Sequence, residues 1–321
     1  MMDFDTISHY TRVPDNARLL LEKPEKEIKL TLNLRLGEKR LVQADAFVVY
    51  HNTARGPAKG GLRFAANVTL EETRDLAERM VWKTALTKIP FGGGKSAVSL
   101  DPKSLSRQEK VAILKEFVHL IKEELFSGNY IPAPDLGTNP SDMAVIYGET
   151  HRPETVTGKP PSLGGLPGRK EATGRGVATI SVLALKRLLN ISPEKASFAV
   201  QGFGNVGSWT AQFLSRSGMR LVAASDIGGG IFNESGLGTS ELVKWAESGQ
   251  TVSDFSNGER ISNEQLLSLP VDVLIPAACE NVPYRTKRKE RQGQDDRRGC
   301  QRAHHPPGRC CPSEPRRPCH P

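Results

Sequence analysis

The sequence predicts an α/β fold divided into two domains, and three observations carry that prediction. The chain has 321 residues, which at about 150 residues per domain allows two domains. Residues 28–36 alternate apolar and polar side chains with the period of a half-buried strand. After residue 170, short apolar strands alternate with helical segments, a pattern typical of a parallel sheet with helices on its faces.

The composition is that of an ordinary globular protein, with 37% hydrophobic and 25% charged residues. No window approaches the roughly 18 uninterrupted apolar residues of a membrane span. The N-terminal segment carries several acidic side chains and no apolar run before a small-residue cleavage site, which argues against a secretory signal. We therefore expect a cytoplasmic protein without a membrane partner.

The net charge of +8 is concentrated near the C-terminal end of the sequence. Residues 283–321 contain eleven Lys or Arg and four Asp or Glu, which leaves a net charge of only +1 on residues 1–282. A strongly basic surface would suggest a nucleic-acid partner. Because the body of the chain is nearly neutral, we expect no nucleic acid to bind it.

The N-terminal part predicts an antiparallel hairpin. The apolar members of 28–36 are Ile and Leu at every second position, which places them on one face of a strand. A turn at Gly37-Glu38 follows, and a second strand covers about 41–50.

Two helices are predicted after the hairpin. One covers about 69–88 and begins with the capping-box pair Thr69 and Glu72, and the other begins with the pair Ser106 and Glu109. The expected buried faces are Leu76, Met80 and Thr84 in the first helix, and Leu114, Phe117, Val118, Ile121 and Leu125 in the second.

The C-terminal part predicts a sheet covered by helices. Residues 152–170 are rich in Pro and Gly and form a loop or hinge before it. The predicted elements are a helix over 173–190, a strand over 198–200, a helix over 206–217, a strand over 221–225, a helix over 239–248 and a strand over 271–275. This order predicts parallel strand pairing.

A glycine-rich turn follows the first of these strands and reads G-F-G-N-V-G over 202–207. It fits the G-x-G-x-x-G pattern of a Rossmann-like dinucleotide-binding domain, in which a pyrophosphate lies at the N-terminus of the helix. The expected cofactor contacts are Gly202, Gly204, Asn205, Val206 and Gly207. Asp226 ends the next strand, 24 residues after Gly202, near the usual spacing for an acid that binds the adenosine ribose.

The same acid bears on the choice of cofactor. The Asp226 carboxylate repels a 2′-phosphate, and Ile227-Gly228-Gly229-Gly230 supply no cation to compensate. The sequence therefore favours NAD over NADP, with NADP kept as the alternative.

Four short segments of the N-terminal part bring lysines and one acid together with glycines. They are G-P-A-K-G-G-L-R over 56–63 with Lys59, M-V-W-K over 80–83 with Lys83, P-F-G-G-G-K over 90–95 with Lys95, and I-P-A-P-D-L-G-T over 131–138 with Asp135. We expect the glycines to let an ammonium approach a small anion. Lysines that are gathered and partly buried also shift towards the neutral form, which suits acid–base chemistry.

These segments, together with P-A-P-D-L-G-T-N at 132–139 and E-A-T-G-R-G-V at 171–177, resemble the Glu/Leu/Phe/Val dehydrogenase family, and within it the glutamate dehydrogenase branch. The resemblance covers about residues 10–282. It implies the reversible oxidative deamination of L-glutamate to 2-oxoglutarate and ammonium, in a cleft between two domains. It also implies a homo-oligomer, commonly a hexamer, built through the N-terminal domain.

The resemblance implies a role for each site residue. Lys95 would polarise the 2-oxo group and Asp135 would be its proton-transfer partner. Lys83 would bind the substrate α-carboxylate, with Met80 beside it. The remaining two assignments are Lys59 at the side-chain carboxylate and Thr173 at the nicotinamide amide.

Lys59 separates glutamate from branched-chain substrates, because an unpaired buried cation is expensive in an apolar pocket. A branched-chain amino-acid dehydrogenase is therefore the weaker alternative. No metal site is expected among these residues.

The sequence departs from the family pattern in two places. Ser96-Ala97 stand where the family has two glycines, which adds side chains near the expected catalytic lysine. From residue 283 the sequence no longer resembles the C-terminal strand and helices of the family. Residues 298–305 read R-G-C-Q-R-A-H-H, which codons for the family segment E-G-A-N-G-P-T-T can encode when they are read one nucleotide early. We interpret this tail as the product of a frameshift. Resequencing the gene around the codon for Val282 tests this interpretation. A gene whose adjacent reading frame encodes no family-like sequence would contradict it.

The predicted organisation is a substrate-binding and oligomerisation domain over 1–168, a Rossmann-like NAD(P)-binding domain over 169–282 that is truncated relative to the family, and an aberrant, disordered tail over 283–321. The tail leaves a second hypothesis open, in which the chain is a catalytically inactive fragment or pseudoenzyme.

Overall fold

The computed structural model describes residues 7–36 and 40–278, and the chain divides into two compact units between Arg169 and Lys170. Within the described residues each unit is built on one five-stranded sheet. The α/β fold class is confirmed. The predicted turn at Gly37-Glu38 and the tail over 283–321 lie outside the described residues.

The sheet of the first unit has the order β1-β2-β4-β3-β5. Its strands are β1 (Lys26–Leu36), β2 (Arg40–Asn52), β3 (Ala58–Ala65), β4 (Gly93–Ser99) and β5 (Tyr130–Pro134). Its helices are α1 (Asp15–Glu22), α2 (Leu70–Leu86), α3 (Arg107–Leu120), α4 (Lys122–Phe126) and α5 (Pro140–Thr150). No helix in the described ranges is both long and apolar enough to cross a membrane.

The hairpin prediction is confirmed by β1 and β2, which pair antiparallel from Lys26 opposite Tyr50 to Leu36 opposite Arg40. The period-2 alternation places Leu32 and Leu36 on the buried face of β1. The second strand pairs with β4, and β4 pairs in parallel with β3. The segments that carry Lys59 and Lys95 are therefore central strands of this sheet, whereas the segment with Lys83 lies on α2.

The two faces of the first sheet are covered differently. Helices α3 and α5 bury the larger core against one face, through Phe117, Met143 and Ile146 among others. A smaller cluster of Phe47, Val68 and Ala97 lies on the other face, where α2 approaches β4. Because strand residues alternate between faces, the odd-numbered residues of β3 and β4 point to the α2 side.

Helix α2 begins as predicted, but its buried face is rotated from the expected one. The five buried positions are Thr73, Ala77, Glu78, Val81 and Thr84. Leu76 and Met80 are only half-buried. Small side chains face the sheet because the helix lies close to it. A Cβ atom at Gly93 of β4 would lie 2.3 Å from a methyl carbon of Val81.

The predicted capping boxes also differ in outcome. Ser106 and Glu109 form the complete reciprocal pair at the start of α3, and the predicted apolar face of that helix is buried. At α2 only half of the box forms, because Thr69 accepts from the Glu72 amide while the Glu72 carboxylate binds Arg63 instead.

The second unit contains the strand order β10-β6-β7-β8-β9. Its strands are β6 (Ser197–Gln201), β7 (Arg220–Asp226), β8 (Gly229–Phe232), β9 (Glu259–Ile261) and β10 (Val273–Pro276). Its α-helices are α6 (Ala172–Ala184), α7 (Asn205–Arg216), α8 (Thr239–Glu247) and α9 (Asn263–Ser268). Helix α6 continues as a π-turn over Leu185–Leu189, so its predicted extent to residue 190 combines two kinds of turn.

The three predicted strands pair in parallel as expected, but the sheet is mixed, because two further strands that the sequence did not indicate are antiparallel. Strands β10, β6 and β7 are parallel, but β8 pairs antiparallel with β7, and β9 antiparallel with β8. The sequence did not indicate β8 because it begins Gly229-Gly230 and lacks an apolar alternation. Strand β9 has only three residues.

Ser96 does not crowd the catalytic candidate Lys95, whereas Ala97 lies on the Lys95 face of β4, in the smaller apolar cluster. The Ser96 side chain is on the opposite face of β4, fully buried, where its hydroxyl accepts a hydrogen bond from Tyr130 at 2.7 Å. The Tyr130 ring stacks on Tyr50 with centroids 5.7 Å apart. The serine is thus a partner for a buried phenol in the larger core.

Ser96→Ala should lower the free energy of unfolding by about 1–3 kcal/mol, because it leaves the buried Tyr130 hydroxyl without its acceptor. The double variant Ser96→Ala/Tyr130→Phe should be less destabilised than the sum of the single variants. Urea unfolding of the unsubstituted chain, the single variants Ser96→Ala and Tyr130→Phe, and the double variant measures both effects. Ser99→Ala, at the end of β4, is the matched control, and additive losses in the double variant would contradict the pairing.

Candidate active site and nucleotide-binding turn

The first unit brings Lys95 and Asp135 into direct contact. The Lys95 ammonium lies 2.8 Å from Oδ2 of Asp135. Lys95 is only 5% exposed and lies on the α2 side of β4, while Asp135 directly follows the end of β5. A buried ammonium and a half-buried carboxylate at this distance can exchange a proton with a ligand atom placed beside them.

Arg63 holds the same carboxylate from the other side. Its Nε donates to Oδ2 of Asp135 at 3.0 Å, and a terminal nitrogen donates to Glu72 at 2.6 Å. The guanidinium is therefore fixed between the start of α2 and the end of β5. Asp135 receives two cations on one oxygen, and this fixes its orientation towards Lys95.

The K-G-G motif at residues 59–61 requires glycine for a different reason from the one that the sequence suggested. A Cβ atom at Gly61 would lie 2.6 Å from the Cβ of Asp135, and one at Gly60 would lie 1.7 Å from the carbonyl oxygen of Gly94. Only glycine lets β4 and the Asp135 segment approach β3 this closely. The motif is required by the packing that assembles the Lys95–Asp135 pair, rather than by space around an ammonium.

The ionisation of the pair follows from its burial and its neighbours. Burial lowers the pKa of Lys95 below its ordinary value, although the Asp135 charge opposes this. Burial alone would raise the pKa of Asp135, but Lys95 and Arg63 together hold that pKa below its usual range. The carboxylate stays ionised, and the ammonium loses its proton more readily than a surface lysine does.

Lys59 lies on the same face of the sheet, on β3. Its ammonium donates to the Thr157 hydroxyl at 2.6 Å and lies 5.8 Å from the centre of the Phe91 ring. Burial lowers the pKa of Lys59 to about 8, and repulsion from Arg169, Lys83 and Lys159 acts in the same direction.

Met80 and Lys83 are one turn apart on α2. Met80 is half-buried and Lys83 is exposed. The charge of Lys83 lowers the pKa of both Lys59 and Lys95, so the Lys83 ammonium acts on the other two. No described contact joins Met80 to this group.

In the second unit the glycine-rich turn joins β6 to α7. Gly202 has a φ of +89° and a Cβ there would lie 2.7 Å from Ala277, so the turn admits only glycine. Gly207 is similarly enclosed, with a Cβ 2.0 Å from the carbonyl oxygen of Gly202. A Cβ at Gly204 would meet nothing within 4 Å. Gly204 is also the N-cap of α7, which has no side-chain cap.

An open glycine at an uncapped helix N-terminus fits an anion such as a pyrophosphate. Of the other predicted contacts, Val206 is half-buried and Thr173 is exposed near the start of α6. The Asn205 side chain donates to the Lys170 carbonyl at 3.0 Å. In this structure Asn205 thus ties the start of α7 to the segment before α6.

Asp226 ends β7 and already has two backbone partners. Its Oδ1 accepts from the Gly228 amide and its Oδ2 accepts from the Val252 amide, both at 2.8 Å. Each oxygen keeps a further lone pair, so the carboxylate can also accept from a ribose hydroxyl. It has a structural function in holding the β7–β8 turn, which the sequence did not indicate.

Sequence reasoning missed part of the site in the first unit. Arg63 stands inside a quoted motif but had no assigned role, and Glu72 was assigned only to the helix cap. Thr157 and Lys159 lie in the Pro- and Gly-rich loop, where nothing in the sequence marks a contact with β3. Among the described residues no group of three or more His, Cys, Asp or Glu could hold a metal ion.

Both units of the chain match known proteins. Residues 24–152 match the dimerisation domain of the Glu/Leu/Phe/Val dehydrogenases, and residues 164–291 match the Glutamate/Leucine/Phenylalanine/Valine dehydrogenase domain. The chain is 44% identical to glutamate dehydrogenase of Thermotoga maritima over 82% of its own length and 65% of that protein. It is 39% identical to NADP-specific glutamate dehydrogenase of Saccharolobus shibatae over 82% of its length and 63% of that protein.

A solved structure is also similar. Hetero-hexameric glutamate dehydrogenase of Thermus thermophilus, in a Leu-bound form, superposes with a TM-score of 0.76 at 30% identity, covering 86% of this chain and 68% of that one. The chain thus spans about two thirds of the length of these relatives. Since the two matched domains cover most of its residues, the chain belongs to the Glu/Leu/Phe/Val dehydrogenase family.

Proposed function

We propose that this chain is a glutamate dehydrogenase, which interconverts L-glutamate with 2-oxoglutarate and ammonium. One observation carries the choice of substrate. Arg63 and Lys95 share the carboxylates of Asp135 and Glu72, whereas neither Lys59 nor Lys83 forms an ion pair within the described part of the chain. Lys59 and Lys83, which the family resemblance assigns to the two carboxylates of the substrate, thus stay without a carboxylate partner, as a dicarboxylate substrate requires.

Lys59 supports a dicarboxylate over a branched-chain substrate. The Lys59 side chain is half-buried, and its lowered pKa reflects the cost of removing that charge from water. An apolar side chain would leave the cost uncompensated. A carboxylate at the far end of the substrate would offset it, so we assign Lys59 to the side-chain carboxylate and Lys83, with Met80, to the α-carboxylate end.

Lys95 and Asp135 supply the proton chemistry in this proposal. The Lys95 ammonium donates a hydrogen bond to the 2-oxo oxygen and withdraws electron density from the carbonyl carbon, which favours attack by ammonia. That oxygen needs two protons to leave as water: Lys95 gives the first, and the second is the proton that Asp135 takes from the incoming nitrogen and returns through Lys95. Asp135, ionised and 2.8 Å from Lys95, accepts a proton from the incoming nitrogen.

The second unit would bind the nicotinamide cofactor, which supplies the hydride to the substrate Cα in reductive amination. The residues proposed to hold it are those of the turn 202–207, with Thr173 at the nicotinamide amide and Asp226 at the ribose. NAD is our preferred cofactor, because Asp226 would repel a 2′-phosphate. NADP is the alternative, and the relative from Saccharolobus shibatae is NADP-specific by name.

We also propose that the chain assembles into a homo-oligomer, a hexamer by analogy with its relatives. The match of residues 24–152 to a dimerisation domain supports assembly through the first unit. A cytoplasmic location and the absence of a nucleic-acid partner stay predictions of the sequence.

The proposed activity is tested by NADH oxidation with 2-oxoglutarate and ammonium, using the purified 321-residue chain. We expect turnover that Lys95→Ala abolishes, and a slower rate with NADPH. Lys115→Ala, an exposed lysine paired with Glu149, is the control for the substitution. Turnover with 4-methyl-2-oxopentanoate alone would support the branched-chain reading, and a folded chain without any turnover would support the inactive one.

The pH dependence of selectivity tests the role of Lys59. Its cation binds a carboxylate below a pKa of about 8 and loses its proton above it. The preference for 2-oxoglutarate over 2-oxopentanoate, which has no distal carboxylate, should therefore fall as the pH rises through that value. Lys95 and free ammonia titrate equally with both substrates, so the ratio of their kcat/KM values isolates Lys59.

Lys59→Met should lower that ratio by at least about tenfold, as expected for losing a charged hydrogen bond, and should make it independent of pH. A ratio that does not vary with pH in the unsubstituted chain would contradict the assignment.

A further inference from the structure

Lys159 is a buried cation that the proposed chemistry does not use. It is 7% exposed, and its ammonium donates to the carbonyl oxygens of Pro153 and Val156 at 2.7 and 2.6 Å. The Tyr147 ring centre lies 5.8 Å away. It forms no ion pair with any described carboxylate, although the charge of the exposed Glu154 favours its protonated form.

A neutral donor could satisfy two carbonyl groups at a lower desolvation cost than an ammonium does. Burial lowers the pKa of Lys159, which is the sign of that cost. The retained charge therefore calls for a further reason, and the neighbourhood of Lys159 supplies one, since its charge is among those that act on Lys59.

The two carbonyl groups belong to the segment that carries Thr157. One carbonyl is in the first residue of the short helical turn Pro153–Thr155, and the other directly follows that turn. The Lys159 ammonium therefore connects this turn to the chain two residues beyond Thr157. The Thr157 amide donates to the Pro132 carbonyl of β5 at 3.0 Å, which fixes the segment against the sheet. The Thr157 hydroxyl then accepts from Lys59 at 2.6 Å.

The same segment is closed from two further sides. Gly158 has a φ of +79°, and a Cβ there would lie 2.3 Å from the Pro134 ring. A Cβ at Gly165 would lie 1.8 Å from the Lys159 carbonyl oxygen. The loop is thus packed tightly on the end of β5, and Lys159 is the cation at its centre.

We propose that Lys159 is a positioning residue for Lys59: by fixing the loop that carries Thr157, it holds the Lys59 ammonium in one place and so sets the preference for substrates with a distal carboxylate. The inference rests on the proposed function, because it takes Lys59 as the group that binds this carboxylate. Lys159 itself touches neither substrate nor cofactor in the proposal.

The test compares Lys159→Met with the unsubstituted chain on 2-oxoglutarate and 2-oxopentanoate. We expect the ratio of kcat/KM values to fall about tenfold, which is the scale of one hydrogen bond to a charged group. The change should appear mainly as a higher KM for 2-oxoglutarate, with kcat/KM for 2-oxopentanoate little changed. Thr157→Val should reproduce the loss, and Lys159→Met should add nothing to Lys59→Met.

Lys115→Met is the matched control, since it makes the same substitution at an exposed lysine of α3. Equal losses on both substrates would show that Lys159 only stabilises the fold, and an unchanged ratio would show that it does not act on Lys59. Either result overturns the proposal.

A second measurement needs no turnover and separates this proposal from the proposed function. Nitrogen-15 NMR of labelled lysines follows the Lys59 ammonium through its pKa of about 8 in the free chain. Lys159→Met should raise that pKa, because it removes a neighbouring positive charge and loosens the loop that buries Lys59. An inactive chain with this shift would contradict only the proposed function, whereas an unshifted pKa would contradict the link between Lys159 and Lys59.

Discussion

The first unit depends on the position of one carboxylate. Asp135 receives Lys95 and Arg63 on a single oxygen, at 2.8 and 3.0 Å. Both cations come from central strands of the sheet, and the carboxylate comes from the end of β5, so three strands must approach closely for the contact to form. Gly61 makes that approach feasible, since any side chain there would displace Asp135.

The two faces of the sheet divide stability from chemistry. The face under α3 and α5 carries the larger apolar core, including the buried Ser96–Tyr130 pair. The α2 face has few large apolar side chains and carries Lys59, Arg63 and Lys95. Because strand residues alternate, a chain of chemically active residues at every second position can coexist with a core at the positions between them. This explains how Ser96 replaces a glycine next to Lys95 without entering the site.

Periodicity and motif order predicted most of the elements, and close contacts account for what they did not predict. The hairpin and α3 were predictable because alternation and a complete capping box are local signals. Strands β8 and β9 carry no such signal, since one begins with two glycines and the other is three residues long. The Lys95–Asp135 contact came from the family resemblance rather than from spacing. Thr157 and Lys159 could not be found, because their link to Lys59 joins positions nearly one hundred residues apart.

The candidate site of the first unit has more cations than carboxylates. Both carboxylates of the site already have cationic partners: Glu72 pairs with Arg63, and Asp135 pairs with Arg63 and Lys95. Lys59 and Lys83 are left without a carboxylate, and their charges repel. The lowered pKa of Lys59 shows that this repulsion and burial already weaken its charged form. A ligand with two carboxylates would offset both effects, and its binding would raise that pKa again by linkage. The free unit therefore holds an excess of positive charge that a dicarboxylate would compensate, and a monocarboxylate would leave the cost at Lys59 in place.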